Sequence, residues 1–269
     1  MNPLHAAVLG TLQGLTEILP ISSSAHLILL PWFLGWPESG LTFDVALHVG
    51  TLIALCLYFH RDIAELAVNF LSGAATGFRS SASRLPLYII AGTVPAAIAG
   101  KTLEEPIEAL FRSNPAFIAA FLIGFGLLLA LSDTLGSKRL RMDRIDLKAA
   151  LFIGLAQCLA LVPGVSRSGI TITAALFAGY GRDTSARFSF LLSLPIVAGA
   201  AILKLGHLFR DGFPAGEMQP MLIGIATSAV VGYVCIALLL RLVQRHSLYP
   251  FVWYRILTGV AVLVYLFAK

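Results

Sequence analysis

Apolar residues form six long runs that are separated by short polar or basic segments. The runs cover residues 42–59, 85–101, 115–135, 187–209, 219–240 and 248–268. A membrane-spanning helix needs about 20 consecutive, mostly apolar residues, and the second run is the weakest by that measure. The pattern therefore predicts six membrane-spanning helices.

Two further apolar stretches, 3–35 and 147–179, are each interrupted in the middle. The first contains Pro20-Ile-Ser-Ser-Ser, and the second contains Pro163-Gly-Val-Ser-Arg-Ser-Gly. Backbone without regular hydrogen bonding cannot face lipid, so such breaks persist only where protein or a wet cavity surrounds them. We interpret both stretches as re-entrant hairpins made of two half-helices.

The two interrupted stretches resemble each other when the sequence is shifted by 144 positions. The matching pairs are Gly10 with Gly154, Gln13 with Gln157, Leu15 with Leu159, Ser22 with Ser166, Ser24 with Ser168, Phe33 with Phe177 and Gly35 with Gly179. Each half then reads as one hairpin followed by three spans. Because three is odd, the second half starts on the opposite face, as in an inverted-topology repeat. Chance matching of small and apolar residues is the alternative.

The predicted fold is thus an all-α polytopic membrane protein with one integral membrane domain over residues 1–269. Its repeat halves cover about 1–136 and 147–269, joined by a basic linker at 137–148. Composition agrees, since 58% of residues are hydrophobic, only 12% are charged and the mean hydropathy is +0.86. A soluble domain is about a quarter charged, so the surrounding solvent is expected to be lipid.

The basic residues predict the orientation. Excess positive charge marks cytoplasmic loops, and the net charge of +5 falls between apolar runs, so nucleic acid is not an expected partner. The expected cytoplasmic segments carry Arg61, Arg79 and Arg84, then Lys138, Arg139, Arg141, Arg144 and Lys148, then Arg241 and Arg245. The loop with Glu104, Glu105 and Glu108 fits the outside. These assignments agree only if each hairpin returns to the side it left, which places both termini outside.

Polar residues concentrate at the two breaks. The first hairpin holds Gln13, Glu17, Ser22, Ser23, Ser24 and His26, and the second holds Gln157, Ser166, Arg167, Ser168 and Thr171. An ionisable residue at membrane depth costs at least a few kcal/mol, so Glu17 and Arg167 require a reason. Arg167 can bind phosphate oxygens in bidentate fashion, and Gly164 and Gly169 allow the backbone amides to form an anion-binding nest. The breaks therefore predict a phosphate site.

Glu17 and Ser23 carry the possible chemistry. Glu17 could be a metal ligand, a partner of Arg167 or a base, and Ser23 beside His26 offers a hydroxyl nucleophile with an adjacent base. Structural alternatives exist: a buried Glu–Arg ion pair, helix-capping by Ser22 and Ser24, and a histidine that only packs. The other histidines, His5, His48, His60, His207 and His246, are assigned to packing or interfaces. Aromatic residues such as Tyr254 are assigned to the interfacial belt.

At these motifs the chain resembles the undecaprenyl-diphosphate phosphatase family, also called bacitracin-resistance proteins, over essentially its whole length. The first motif is Gln13-Gly-Leu-Thr-Glu17, leading into Leu19 to His26, and the second is the Pro-Gly-x-Ser-Arg-Ser-x-x-Thr pattern from Pro163 to Thr171. The resemblance implies removal of the terminal phosphate of undecaprenyl diphosphate, which recycles the lipid carrier for cell-wall synthesis. It also implies a multi-pass protein of the bacterial inner membrane whose active site faces the periplasm.

The resemblance further implies residue roles. Ser23 matches the nucleophile, Arg167 the phosphate clamp, Glu17 and His26 acid–base or metal-related residues, and Ser166 and Thr171 phosphate ligands. The expected cofactor is a divalent cation, Mg²⁺ or Ca²⁺. Many family members carry Glu where this chain has Gln13, so metal coordination here would depend more on Glu17. Together with Ser22, Gly164, Ser168 and Gly169, these residues form the predicted site.

The expected reaction is in-line attack by Ser23 on the terminal phosphorus, with direct attack by water as the alternative. The polyprenyl tail is expected in a lateral opening between helices. A competing class is a transporter or flippase of a phosphorylated polyprenyl lipid, because inverted repeats with midplane breaks are common in transporters. A structural membrane subunit would leave the polar set unexplained. The expected partners are the polyprenyl diphosphate, membrane lipids and a second copy of the chain.

Overall fold

The computed structural model describes residues 2–37, 40–211 and 217–268. Met1 and Lys269, the ends of the expected single domain, lie outside the described residues. The described residues form eleven α-helices and no strand, apart from an isolated bridge between Leu140 and Tyr180. The helices are α1 (Pro3–Ile18), α2 (Ser23–Leu34), α3 (Leu41–Tyr58), α4 (His60–Thr76), α5 (Ser81–Phe111), α6 (Pro115–Leu135), α7 (Leu147–Gln157), α8 (Arg167–Phe177), α9 (Arg182–Asp211), α10 (Met218–Arg245) and α11 (Tyr249–Ala268).

Several of these helices are long and apolar enough to cross a membrane. Among the described residues, α5, α6, α9, α10 and α11 meet that test, and α3 and α4 add a sixth span if this pair, bent by 73°, is counted as one. The five single helices coincide with apolar runs of the sequence, whereas the predicted run 42–59 matches α3 alone and α4 lies outside it. The chain is therefore an all-helical protein whose apolar helices are compatible with a polytopic membrane protein.

The weakest predicted span was too short at both ends. The sequence predicted 85–101, whereas α5 runs for 31 residues despite Pro86, Pro95 and Pro106. Hydropathy ends at the first charged residues, but a helix continues as long as its backbone is hydrogen-bonded. The additional turns carry Glu104 and Glu108 beyond the apolar segment, at the same end of the helix as Arg112.

The two interrupted stretches are pairs of short helices with non-helical breaks. Helix α1 ends at Ile18 and α2 begins at Ser23. Helix α7 ends at Gln157, continues as a 3₁₀ segment to Leu161, and α8 begins at Arg167. None of these helices exceeds 16 residues, which is shorter than a spanning helix requires.

Close backbone contacts hold the first half-helix of each pair. Helix α1 packs on α10, and α7 packs on α5. A Cβ at Gly10 would lie 2.5 Å from the Gly224 carbonyl oxygen, and one at Gly154 would lie 2.0 Å from the Gly92 oxygen. Gly10 and Gly154 are thus equivalent in packing as well as in sequence, because only glycine permits either approach.

Candidate functional site

The carboxylate of Glu17 joins the two breaks. Arg167 Nη2 donates to Glu17 Oε1 at 2.7 Å, and Ser23 Oγ donates to Glu17 Oε2. The Glu17 and Arg167 side chains are 6% and 13% exposed, so water screens their pairing weakly. Within the described residues Arg167 Nη1 has no hydrogen-bond partner, which leaves one arm of the guanidinium for an incoming oxygen.

Ser23 and Arg167 occupy equivalent positions. Each is the first residue of its helix, and the two are separated by the same 144 positions that relate the repeat. Each follows a serine in the rare positive-φ region, Ser22 at 78° and Ser166 at 76°. Non-glycine residues in this region cost energy and tend to occur at functional sites. The side chains of both serines accept from the helices they precede, so they act as N-caps.

Direct hydrogen bonds fix one break against the other. The Gly164 amide donates to Ser22 Oγ at 3.2 Å, and Ser168 Oγ donates to the Leu19 carbonyl at 3.2 Å. Gly164 has φ of 99°, and a Cβ there would lie 2.7 Å from the Ile118 oxygen, so the position requires glycine. The Gly164 amide is thus already bound, and its contribution to a phosphate-binding nest remains a prediction.

The buried guanidinium of Arg255 supports both breaks from behind. Its side chain is 0% exposed and donates to the carbonyls of Pro20 (3.1 Å), Gly164 (2.7 Å) and Val165 (3.0 Å). Arg255 is not among the site residues predicted from the sequence. An arginine inside the apolar run of α11 was the available signal, because a charge at that depth demands partners.

We expect Arg255→Leu to destabilise the fold by about 3 kcal/mol or more, because several buried carbonyls would lose their donors. The measurement is thermal unfolding of the purified protein in detergent. The exposed Arg241→Leu provides a matched control. Equal unfolding temperatures for Arg255→Leu and wild type would show that the guanidinium does not hold the breaks.

The two nearby histidines have different surroundings from those expected. His26 Nδ1–H donates to the Ser22 carbonyl at 2.7 Å, and Nε2 lies 2.8 Å from the Tyr254 hydroxyl. Both ring nitrogens are therefore engaged, and the hydroxyl of Ser23 bonds Glu17 instead. His48, assigned from sequence to packing or interfaces, places Nε2 3.6 Å from Glu17 Oε2. Tyr254, assigned to the interfacial belt, orients His26.

The remaining predicted residues surround this centre. Gln13 Nε2 donates to Glu17 Oε2 at 3.4 Å, and the Gly169 amide donates to Ser166 Oγ at 3.1 Å. Thr171 Oγ1 donates to the Arg167 carbonyl at 2.8 Å and lies 2.6 Å from Ser189 Oγ, so it packs towards α9. The hydrogen bonds of Gly169, Ser168 and Thr171 all join other groups of the protein. Contacts between these residues and phosphate therefore remain predictions.

A cleft of about 240 Å³ opens at the centre. Its polar end is formed by both breaks, His48 and Glu104 of α5, and its apolar end by Ala96 of α5, by α9 and by Leu161 of the 3₁₀ segment. The polar lining residues are Glu17, Ser22, Ser23, Ser24, His48, Glu104, Gln157, Ser166 and Arg167, and the apolar end includes Ala96, Leu161, Ile196, Val197, Ala200 and Ala201. An elongated ligand with an anionic head and an apolar tail matches this division.

Comparison with known proteins gives a consistent result over nearly the whole chain. The profile of the family described as "Bacitracin resistance protein BacA" matches residues 6–261. A Geobacter metallireducens protein named undecaprenyl-diphosphatase is 77% identical over 267 residues, which is 99% of each chain. Proteins of the same name are 74% identical in Geobacter sulfurreducens, over 100% of each chain, and 50% identical in Moorella thermoacetica, over 96% of this chain and 95% of that one. The chain belongs to the BacA family of bacitracin resistance proteins.

Proposed function

We propose that this chain hydrolyses undecaprenyl diphosphate to undecaprenyl phosphate and inorganic phosphate. The observation that carries the proposal is the Glu17 carboxylate, which bonds the Ser23 hydroxyl and the Arg167 guanidinium in one cleft. The name undecaprenyl-diphosphatase, carried by relatives that match the full length of the chain, supports hydrolysis over the transporter alternative.

The proposed reaction begins with Ser23. Glu17 accepts the serine proton as Ser23 Oγ attacks the terminal phosphorus in line. An oxygen–phosphorus bond to serine forms, and the bond between this phosphorus and the bridging oxygen breaks, which releases undecaprenyl phosphate. Arg167 stabilises the charge on the transferred group through its free Nη1. Water then hydrolyses the phosphoserine. His26 holds the Ser22 turn in place through its hydrogen bond to the Ser22 carbonyl.

Oxygen ligands for a divalent cation are present beside the serine. Gln13 Oε1 is buried and has no hydrogen-bond partner in the described part of the chain. Mg²⁺ is usually bound by one or two carboxylates together with substrate phosphates, so Glu17 and Gln13 would hold it jointly with the diphosphate. The described residues contain no group of three or more His, Cys, Asp or Glu side chains that could hold a metal alone. When bound, the cation supplies charge neutralisation for the phosphate oxygens.

Removal of divalent cations by a chelator should therefore abolish phosphate release. The residue at position 13 should determine how much Mg²⁺ the reaction needs. We expect Gln13→Glu to lower the half-maximal Mg²⁺ concentration about tenfold and Gln13→Leu to raise it about tenfold, because ligand charge tunes affinity. The measurement is a Mg²⁺ titration of phosphate release. Exposed Gln219→Leu is the control. Unchanged requirements in both Gln13 variants would remove this residue from the cation site.

The apolar end of the cleft is the proposed binding region for the polyprenyl tail. It is lined by small and branched side chains of α5 and α9, among them Ala96, Val197 and Ala200. Each buried CH₂ contributes about 0.8 kcal/mol, so the tail gains affinity here without polar contacts.

Filling this end should therefore weaken binding of the lipid. We expect Ala200→Trp to raise KM for undecaprenyl diphosphate about tenfold, because the indole occupies the space of several CH₂ groups. Ala261→Trp, on an exposed position of α11, is the matched control. Similar KM values for the two variants would place the tail elsewhere.

An inverted repeat of two re-entrant hairpins and six spans is the proposed architecture. Mirrored packing supports it, since α1 packs on α10 as α7 packs on α5, while α3 packs on α10 as α9 packs on α5. The capping serines supply further support, because Ser22 and Ser166 share an unusual backbone conformation at equivalent positions. The two breaks then meet near the midplane.

The proposed site opens away from the basic loops, towards the outside of the inner membrane. At one end of the molecule, Arg187 pairs with Asp62 and Arg182 with Asp133, which gathers the loops predicted to be cytoplasmic. A second cleft reaches the other end. Its lining includes Ser24, His48 and Pro163 near the breaks, and Asp44, Glu104, Glu108 and Arg112 at the acidic end.

Product analysis in oriented vesicles tests the proposal. Right-side-out vesicles that contain the protein are supplied with undecaprenyl diphosphate and Mg²⁺, and both lipid products and phosphate are quantified. We expect equimolar undecaprenyl phosphate and inorganic phosphate, with phosphate in the external medium. Intact diphosphate that only changes leaflet would support the transporter instead, and phosphate inside the vesicles would reverse the orientation.

A further inference from the structure

Gln157 is buried in the cleft without a partner. It is the last residue of α7, is 3% exposed and lines the polar end. Within the described residues, neither its Nε2 nor its Oε1 has a hydrogen-bond partner. A buried amide that lacks partners costs free energy, so native proteins retain one mainly where a ligand or water completes it.

The equivalent residue Gln13 shows which hydrogen-bond partner Gln157 lacks. Gln13 Nε2 donates to Glu17, four residues later on the same helical face. Shifting by 144 positions brings Gln157 onto Gln13 and Leu161 onto Glu17. The second half thus keeps the donor but replaces its acceptor with an apolar side chain. An anionic ligand in the cleft would supply that acceptor.

The position of Gln157 indicates which part of the ligand it meets. Helix α7 touches α5 at Gly154 and Gly92, and the next turns along these helices carry Gln157 and Ala96. Ala96 and Leu161 both belong to the apolar end of the cleft. Gln157 therefore lies in the cleft beside residues of its apolar end.

We propose that Gln157 is a substrate-binding residue whose amide Nε2 donates to the phosphate attached to the prenyl chain. The inference rests on the proposed function. Ser23, Glu17 and Arg167 serve the terminal phosphate, and Gln157 holds the lipid phosphate that remains after cleavage. Because this phosphate keeps its attachment to the lipid, the contact stabilises the bound substrate, the transition state and the lipid product alike. Such uniform binding changes KM and leaves kcat unaltered.

The test compares wild type with Gln157→Leu and Gln157→Glu in two measurements. The first is steady-state hydrolysis of undecaprenyl diphosphate, and the second is direct equilibrium binding of radiolabelled undecaprenyl monophosphate, which needs no turnover. For Gln157→Leu we expect KM and the Kd of the monophosphate to rise together, about 10- to 100-fold, as for loss of a hydrogen bond to a charged group. We expect kcat to stay within about threefold. Gln157→Glu should bind more weakly still, because its carboxylate repels phosphate.

Gln219→Leu makes the same chemical change at an exposed site and should match wild type in both measurements. Thermal unfolding of Gln157→Leu should occur at or above the wild-type temperature, because an unpartnered amide is removed. If the leucine variant does not fold, Gln157→Met replaces it, and the same increase in the Kd of the monophosphate is expected. An unchanged monophosphate Kd, or a fall in kcat alone, would overturn the proposal. If wild type failed to hydrolyse the diphosphate yet Gln157→Leu weakened monophosphate binding, the proposed reaction would fail and the contact would stand.

Discussion

Arg167→Ala should lower the rate of phosphate release by about a thousandfold or more, because an arginine that stabilises a transferred phosphoryl group contributes on this scale. In the structure one arm of the guanidinium binds Glu17 and the other has no partner among the described residues. Removal of the side chain therefore deprives the transferred phosphate of its cation. It also leaves the Glu17 carboxylate buried without its ion pair, so stability must be measured alongside activity.

Arg167→Lys separates charge from geometry. Lysine keeps the positive charge but lacks the planar fork that can bond a carboxylate and a phosphate at once, so its activity should lie between those of wild type and alanine. Arg144→Ala is the control, because its side chain is 74% exposed in the segment between α6 and α7 and does not line the cleft. Full activity in a folded Arg167→Ala protein would refute the assigned role.

Ser23→Ala should also reduce phosphate release by about a thousandfold or more, because loss of a nucleophile removes the covalent route. The hydroxyl already donates to Glu17, so proton removal needs no rearrangement. Exposed Ser72→Ala is the matched control. A second readout is phosphorylated protein after acid quenching of wild type with substrate labelled in the terminal phosphate. Activity within about tenfold of wild type and no labelled protein would favour direct attack by water activated by Glu17.

The site residues that could be predicted from the sequence are those whose type is unusual for the segment around them. Glu17 and Arg167 interrupt apolar segments, and Pro20 and Gly164 interrupt helices, so each stands out without a structure. The sequence did not show that these residues lie together, because they are far apart along the chain. Glu17 and Arg167 are 150 positions apart, and only the packing of the two breaks brings them within 2.7 Å.

Residues whose local context looked ordinary were harder to predict. His26 lies three positions from Ser23, which suggested a nucleophile–base pair, but the positive φ of Ser22 sets the direction of α2 and leaves the ring bonded to the Ser22 carbonyl. His48 resembles any other histidine in an apolar helix. Its role depends on the packing of α3 beside α1, which no local pattern records.

The fold, like the site, could be predicted from the sequence only in part. Apolar runs located the five single candidate spans and the first helix of the bent pair, because membrane helices are constrained by the thickness of the bilayer. They failed at the ends of α5, where polar turns extend the helix beyond the apolar segment. The bend of 73° between α3 and α4 was likewise absent from the predicted elements, because the break at Phe59 is a single apolar residue with no proline or glycine.

The most direct test of one shared site is the rate of phosphate release from undecaprenyl diphosphate by wild type, Arg167→Ala, Ser23→Ala and the double variant, all purified in detergent with Mg²⁺. Residues that act in one reaction are strongly non-additive, so the double variant should be no slower than the slower single variant. We expect cation-dependent release by wild type and near-complete loss in all three variants, with folding intact. Absence of release by folded wild type, or multiplicative losses in the double variant, would contradict a single phosphatase site formed by the two breaks.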